Sequence, residues 1–120
     1  MFKKIILITL LFGIILSQDK QKVVLITGTA LGIGKSTAEY LIDKGHIVYG
    51  GDILIEENLY LNDIGGTALE MDVTNQNHID DAVKKIISEE GRIDVLVNNA
   101  GLGVYGAIED VSMEDIYYQY

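Results

Sequence analysis

The chain has 120 residues, 18 of them acidic and nine basic, for a formal net charge of −9. That is room for one small domain, and the negative balance repels nucleic-acid phosphates and anionic membrane surfaces, so neither is an expected partner. Cysteine and proline are both absent, which excludes disulfides, thiolate nucleophiles and cysteine metal sites.

The chain opens on the basic "MFKK" and an unbroken apolar run, "IILITLLFGIIL" (Ile5 to Leu16), followed by Ser17 and the polar "QDKQK". Residues 1–17 have the layout of a cleavable signal peptide, with an apolar core too short to span a bilayer comfortably. The expected location is therefore secretory, periplasmic or membrane-associated; an uncleaved surface anchor is one alternative, and a misassigned start, with a cytoplasmic protein, is another. Residues 18–120 form the expected domain.

"KVVLI" (22–26) is continuous, β-branched and apolar, the mark of a strand buried on both faces. "IGKSTAEYLIDKG" predicts a helix stopped by Gly45, and "HIVYG" (46–50) a second strand whose segment ends at Asp52. "LIEENLYLNDIGG" reads as one short helix and "TALEMDV" (67–73) as a third strand. Thr74 is placed to cap a helix over "NQNHIDDAVKKIISEEG", with Ile79, Val83, Ile86 and Ile87 as its apolar stripe and Gly91 as its stop. "IDVLV" (93–97) predicts a fourth buried strand, and "SMEDIYYQY" a further helix opening at Ser112. Strands alternating with helices at these intervals mean a doubly wound parallel α/β sheet, Rossmann-like, with strand order 3-2-1-4. His46 and His78 are far apart and read as ordinary polar positions; no metal site is expected.

Between the first strand and its helix lies "TGTALGIG" (27–34). Gly28, Gly32 and Gly34 let backbone amides approach a large anion, and the helix amino-terminus behind them adds donors and partial positive charge, which suits a pyrophosphate. A tight turn with close helix–strand packing is the competing reading of the glycines. Asp52, eighteen residues after Gly34, is positioned to accept the adenosine ribose hydroxyls. A 2′-phosphate would meet its charge, and Ile53, Leu54 and the loop residue Leu31 offer no cation, so NAD is favoured over NADP. "NNAG" (Asn98, Asn99, Ala100, Gly101) ends the fourth strand, where it can knit the sheet end together and admit a cofactor close to the backbone.

Together these stretches resemble the short-chain dehydrogenase/reductase family. "TGTALGIG" matches its TGxxxGIG loop, "MDV" (71–73) its adenine-contacting DV pair and "NNAG" its motif unchanged, and the resemblance runs from about Lys22 to Tyr120. It implies that Gly28, Leu31, Gly32, Ile33 and Gly34 line the pyrophosphate and nicotinamide side. It further implies that Asp72 and Val73 contact adenine and that Asn98 to Gly101 lie along the ribose. The implied activity is hydride transfer between a nicotinamide cofactor and a small alcohol or carbonyl. The family's catalytic Asn, Ser and Tyr-x-x-x-Lys would fall beyond Tyr120, so no catalytic residue is assigned, and the 120 residues are expected to be the amino-terminal part of the fold and inactive alone. The one Tyr-x-x-x-Lys match, Tyr40 and Lys44, lies on the first helix, about 15 Å along its axis from the phosphate end, and is expected to be a surface pair. A homo-oligomer through the helix starting near Ser112 is a further expectation. A non-catalytic dinucleotide-binding module is the rival function; an epimerase-like relative of the same fold is a third, against which NNAG argues.

Overall fold

The computed structural model describes residues 20–103, 106, 107 and 109–119; the leader expected at 1–17 lies outside them. Four strands, β1 (Val23–Thr27), β2 (Ile47–Asp52), β3 (Thr67–Glu70) and β4 (Val95–Val97), form one parallel sheet in the order β3-β2-β1-β4. Five helices accompany them among the described residues: α1 (Gly32–Asp43), α2 (Ile55–Asn58), α3 (Tyr60–Asp63), α4 (Gln76–Glu90) and α5 (Met113–Gln119).

β1 is central and buried along its whole length, which is why its sequence is apolar without alternation. Its odd and even positions nonetheless serve different layers. Val23 and Leu25 pack with Tyr49, Leu69, Met71, Ala82 and Ile86 under α4, while Val24 and Ile26 pack with Ala38, Val48 and Leu61 under α1 and α3. β1 and most of β2 are thus covered on both faces, and the carboxyl ends of β1, β2 and β4 converge on one side. Tyr49 reaches the last turn of α4, where its hydroxyl donates to the carboxylates of Glu89 and Glu90 (2.8 and 3.0 Å); burial and these acids hold its phenol well above the ordinary range.

Several local details differ from the sequence reading. The segment after β2 is two short helices rather than one, because the ladder tightens at Asn62, whose N–H donates to Leu59 O instead of one residue further back. Asn75, not Thr74, caps α4: its side chain accepts from Asn77 N, while the Thr74 hydroxyl donates to Asp72. The buried stripe of α4 is Ala82 and Ile86 with Ile79 at its edge; Val83 and Ile87 are exposed. Ile87 stands about 100° round the helix from Ile86, outside the sheet-facing arc. β3 ends at Glu70 rather than residue 73. β4 is shorter than expected and is not buried: Val95 and Leu96 are exposed, because β4 pairs with β1 alone among the described residues. The glycine stops stand as read, Gly45 and Gly91 having φ of 83° and 74° after α1 and α4.

Asp94 joins the start of β4 to the start of β1. Its carboxylate accepts Val23 N (2.8 Å) and Arg92 Nε (3.0 Å), and these bonds hold its carboxyl below the ordinary range. A depressed carboxyl stabilises the fold above its unfolded pKa, and the contribution is lost as pH falls through the folded value. Asp94→Ala is therefore expected to lower the melting temperature most near neutral pH, with the gap from the parent narrowing below about pH 4. Thermal melts of both proteins between pH 7 and pH 3 check this; a gap that widens on acidification contradicts it.

Candidate functional site

The loop after β1 is shaped by two residues with left-handed backbone, Gly28 (φ 75°) and Gly32 (φ 58°), a conformation that disfavours any side chain. Between them Thr29 and Ala30 are buried and Leu31 is exposed. α1 starts directly at Gly32. Leu31 contributes no side-chain cap and the first turn holds no acid, so the amide donors and positive dipole end of α1 have no acidic cap among the described residues. Ile33 lies on this outer side, 80% exposed.

Gly34 marks the closest approach. A Cβ there would lie 1.9 Å from Gly28 O and 2.5 Å from Asn99 Nδ2, so α1 crosses the end of β1 with backbone against backbone. At Gly32 an added Cβ would meet nothing within 4 Å: the loop is crowded behind and open in front. An extended anionic group lying across the front would meet main-chain amides rather than side chains, so the cradle fits a dinucleotide pyrophosphate.

Asp52, at the end of β2, faces this loop. Its Oδ2 accepts Ala30 N (2.8 Å) and its Oδ1 accepts Leu54 N (3.0 Å). Each oxygen therefore carries one amide donor and keeps capacity for another. Asp72, after β3, accepts both the N–H and the hydroxyl of Thr74 (2.8 and 2.7 Å), which hold its carboxyl below the ordinary range. Its own N–H donates to His78 Nδ1 (3.1 Å), and Val73 beside it is exposed. His46 is used in the same way, accepting Lys22 N. Among the described residues no group of three His, Cys, Asp or Glu side chains could hold a metal ion.

At the end of β4, Asn98 is exposed and Asn99 half-buried. The Asn99 amide donates to Thr27 O (3.0 Å) and Gly28 O (2.9 Å), while the N–H groups of Asn99 and Ala100 donate to Thr27 Oγ1 (3.1 and 2.9 Å). Asn99 thus sews β4 to the base of the glycine loop, with Ala100 packed against Gly28 and the exposed Gly101 following it. Loop, Asp52 and NNAG are brought together at one sheet end, and Asp72 and Val73 follow the neighbouring strand β3.

Tyr40 and Lys44 are elsewhere. Tyr40 is 61% exposed on the outer face of α1, and the Lys44 ammonium rests 5.3 Å from its ring centroid, a surface cation–π contact. The sequence reading passed over Thr29, Asn58 and Tyr60. Tyr60 donates to Thr29 O (3.0 Å) beneath the Lys35 ammonium, 4.4 Å from its ring centroid, and burial with nearby Glu39 and Asp52 pushes its phenol up to about 12.

The family model for short chain dehydrogenases matches residues 22–120. The chain is 46% identical over 99 residues to a 3-ketodihydrosphingosine reductase of Bacteroides thetaiotaomicron, covering 82% of this chain and 35% of that protein. It is 40% identical over 106 residues to a cyclopentanol dehydrogenase of Comamonas sp., covering 83% of this chain and 42% of the other. Among solved structures it is similar to a 3-ketoacyl-(acyl-carrier-protein) reductase from Brucella melitensis complexed with NADH, with TM-score 0.75 and 31% identity over 82% of this chain and 42% of that one. It is also similar to the aldohexose dehydrogenase of Thermoplasma acidophilum, with TM-score 0.67 and 37% identity over 82% of this chain and 37% of that one. The chain therefore spans well under half the length of these relatives.

Proposed function

The chain belongs to the short-chain dehydrogenase family, and from that premise we propose that it is the dinucleotide-binding part of an NAD-dependent oxidoreductase that interconverts an alcohol and a carbonyl. The observation that carries the reading is the front of the glycine loop: uncapped amides of α1, no acid in its first turn, and open space before Gly32. Gly28, Leu31, Gly32, Ile33 and Gly34 would hold the pyrophosphate and the nicotinamide side. Asp72 and Val73 would hold adenine, and Asn98 to Gly101 would lie along the ribose. Bound there, the nicotinamide group supplies hydride exchange with the substrate. The family's proton-transfer tyrosine and lysine are assigned to no residue of this chain.

Asp52 supports NAD over NADP. Its free acceptor capacity suits the ribose diol, while a 2′-phosphate would meet its charge with no Lys or Arg at positions 53 and 54 to offset it. The double change Asp52→Ala with Ile53→Arg is expected to move the ratio of the NADP and NAD dissociation constants toward NADP by roughly tenfold or more, since one repulsion is removed and one ion pair gained. Absolute affinity for both falls as well, because Ala30 N and Leu54 N lose their acceptor. Parallel titrations of parent and variant with both cofactors decide it. A parent that already binds NADP the more tightly overturns this assignment of Asp52.

A further inference from the structure

Two consecutive loop residues, Thr29 and Ala30, are held entirely from the segment that ends β2 and follows it. The Thr29 hydroxyl donates to Asn58 Oδ1 (2.8 Å), and the Asn58 amide donates to Gly50 O (2.8 Å). Thr29 and Asn58 are both 0% exposed. The Thr29 carbonyl accepts the Tyr60 hydroxyl, and Ala30 N is bound by Asp52. Space for this relay is made by Gly50, where a Cβ would come 2.4 Å from Thr29 Oγ1 and 2.3 Å from Leu61 Cδ1.

We propose that Asn58 is a positioning residue for the glycine loop, acting through the Thr29 hydroxyl to set the direction in which the loop presents its amides to the dinucleotide. This rests on the dinucleotide reading of that loop. The physical argument is one of restraint. Glycines at 28 and 32 flank the pair and give the loop two permissive pivots, so the orientation of the peptides between them must be fixed by contacts from outside. Among the described residues the side chains that hold Thr29 and Ala30 by hydrogen bonds are Asp52, the last residue of β2, and Asn58 and Tyr60 in the segment after it. Lys35, in the first turn of α1, also rests on the Tyr60 ring, so loop and helix start are both referred to the same short segment. An asparagine that merely fills the core would need its own hydrogen bonds satisfied, but would have no reason to spend its acceptor on the one loop hydroxyl between the two pivots.

The test is titration of the purified protein with NADH, read by nucleotide fluorescence at a temperature well below each variant's melting point. The variants are Thr29→Val, which keeps the shape and removes the hydroxyl, Asn58→Leu, and Thr29→Ser, which restores the hydroxyl. Thr29→Val and Asn58→Leu are expected to raise the NADH dissociation constant about tenfold, the effect of one buried hydrogen bond on the population of the competent loop. Thr29→Ser is expected to return to within about threefold of the parent. Should Asn58→Leu fail to fold, Thr29→Val reads the same bond from its other end. Folded variants with parental affinity, or a Thr29→Ser protein as weak as Thr29→Val, overturn the positioning role while leaving the dinucleotide reading intact. A parent that does not bind NADH overturns both.

Discussion

Gly34→Ala is expected to abolish dinucleotide binding and to cost about 3 kcal/mol or more of stability, at the upper end of what overpacking does. The added methyl carbon would lie 1.9 Å from Gly28 O, 2.8 Å from Gly28 C and 2.5 Å from Asn99 Nδ2. Two of those atoms are backbone, so no rotamer change relieves the clash; α1 must lift away from the end of β1, and the uncapped amides move with it. Gly32→Ala is the informative contrast. Beyond its chain neighbours and its own helix backbone, its methyl would meet no atom of the described residues within 4 Å, so the loss of stability should be limited to the left-handed backbone penalty of about 1–2 kcal/mol. Yet the methyl would stand on the open front where the pyrophosphate is proposed to lie. Urea unfolding and NADH titration of both variants separate the two effects. Gly34→Ala retaining parental stability would contradict the close crossing described above.

Asn99→Ala is the second large effect. Its side-chain amide serves two carbonyls at once, Thr27 O and Gly28 O, and both would lose a donor in a half-buried place. A cost of about 2 kcal/mol follows from leaving such acceptors without partners. Cofactor affinity should fall with it, because Gly28 begins the loop. Asn99→Asp should be worse at neutral pH, since a carboxylate replaces the donor opposite two carbonyl oxygens. Those neighbours raise the new carboxyl's pKa, so stability should recover as pH falls through the folded value and be lost as pH rises. Chemical denaturation at pH 7 and pH 4 tests both substitutions; an Asn99→Asp protein as stable as the parent at pH 7 would contradict the geometry.

Much of this architecture was legible in the residues because the features concerned are local. An unbroken apolar run such as that at residues 23–26 suits a strand covered on both faces, and β1 is buried along its length. Gly28 and Gly32 sit at positions where the backbone has positive φ, and the crossover pattern fixes the order β3-β2-β1-β4. The Asn58–Thr29 bond was not legible. Its partners are 29 residues apart, belong to different elements and leave no periodic trace, and an inward-turned asparagine in a short polar helix looks like a solvent-facing one. The cap of α4 was misplaced for another reason: Thr74 and Asn75 are both good cap residues, and the Asp72 carboxylate, which engages Thr74, decides between them. The exposure of Val83, Ile87 and Leu96 was missed because apolar character alone does not say which neighbour is present to cover a side chain.

The central claim is that the front of the loop between β1 and α1 binds the dinucleotide, and amide chemical-shift mapping tests it most directly. A ¹⁵N-labelled sample titrated with NAD should show its largest, saturable shifts at Gly28 to Gly34, with smaller ones at Asp52 and at Asp72 and Val73. The outer face of α1 around Tyr40 and Lys44 should remain still. Shifts confined to that outer face, or none at saturating NAD in a folded sample, would contradict the account.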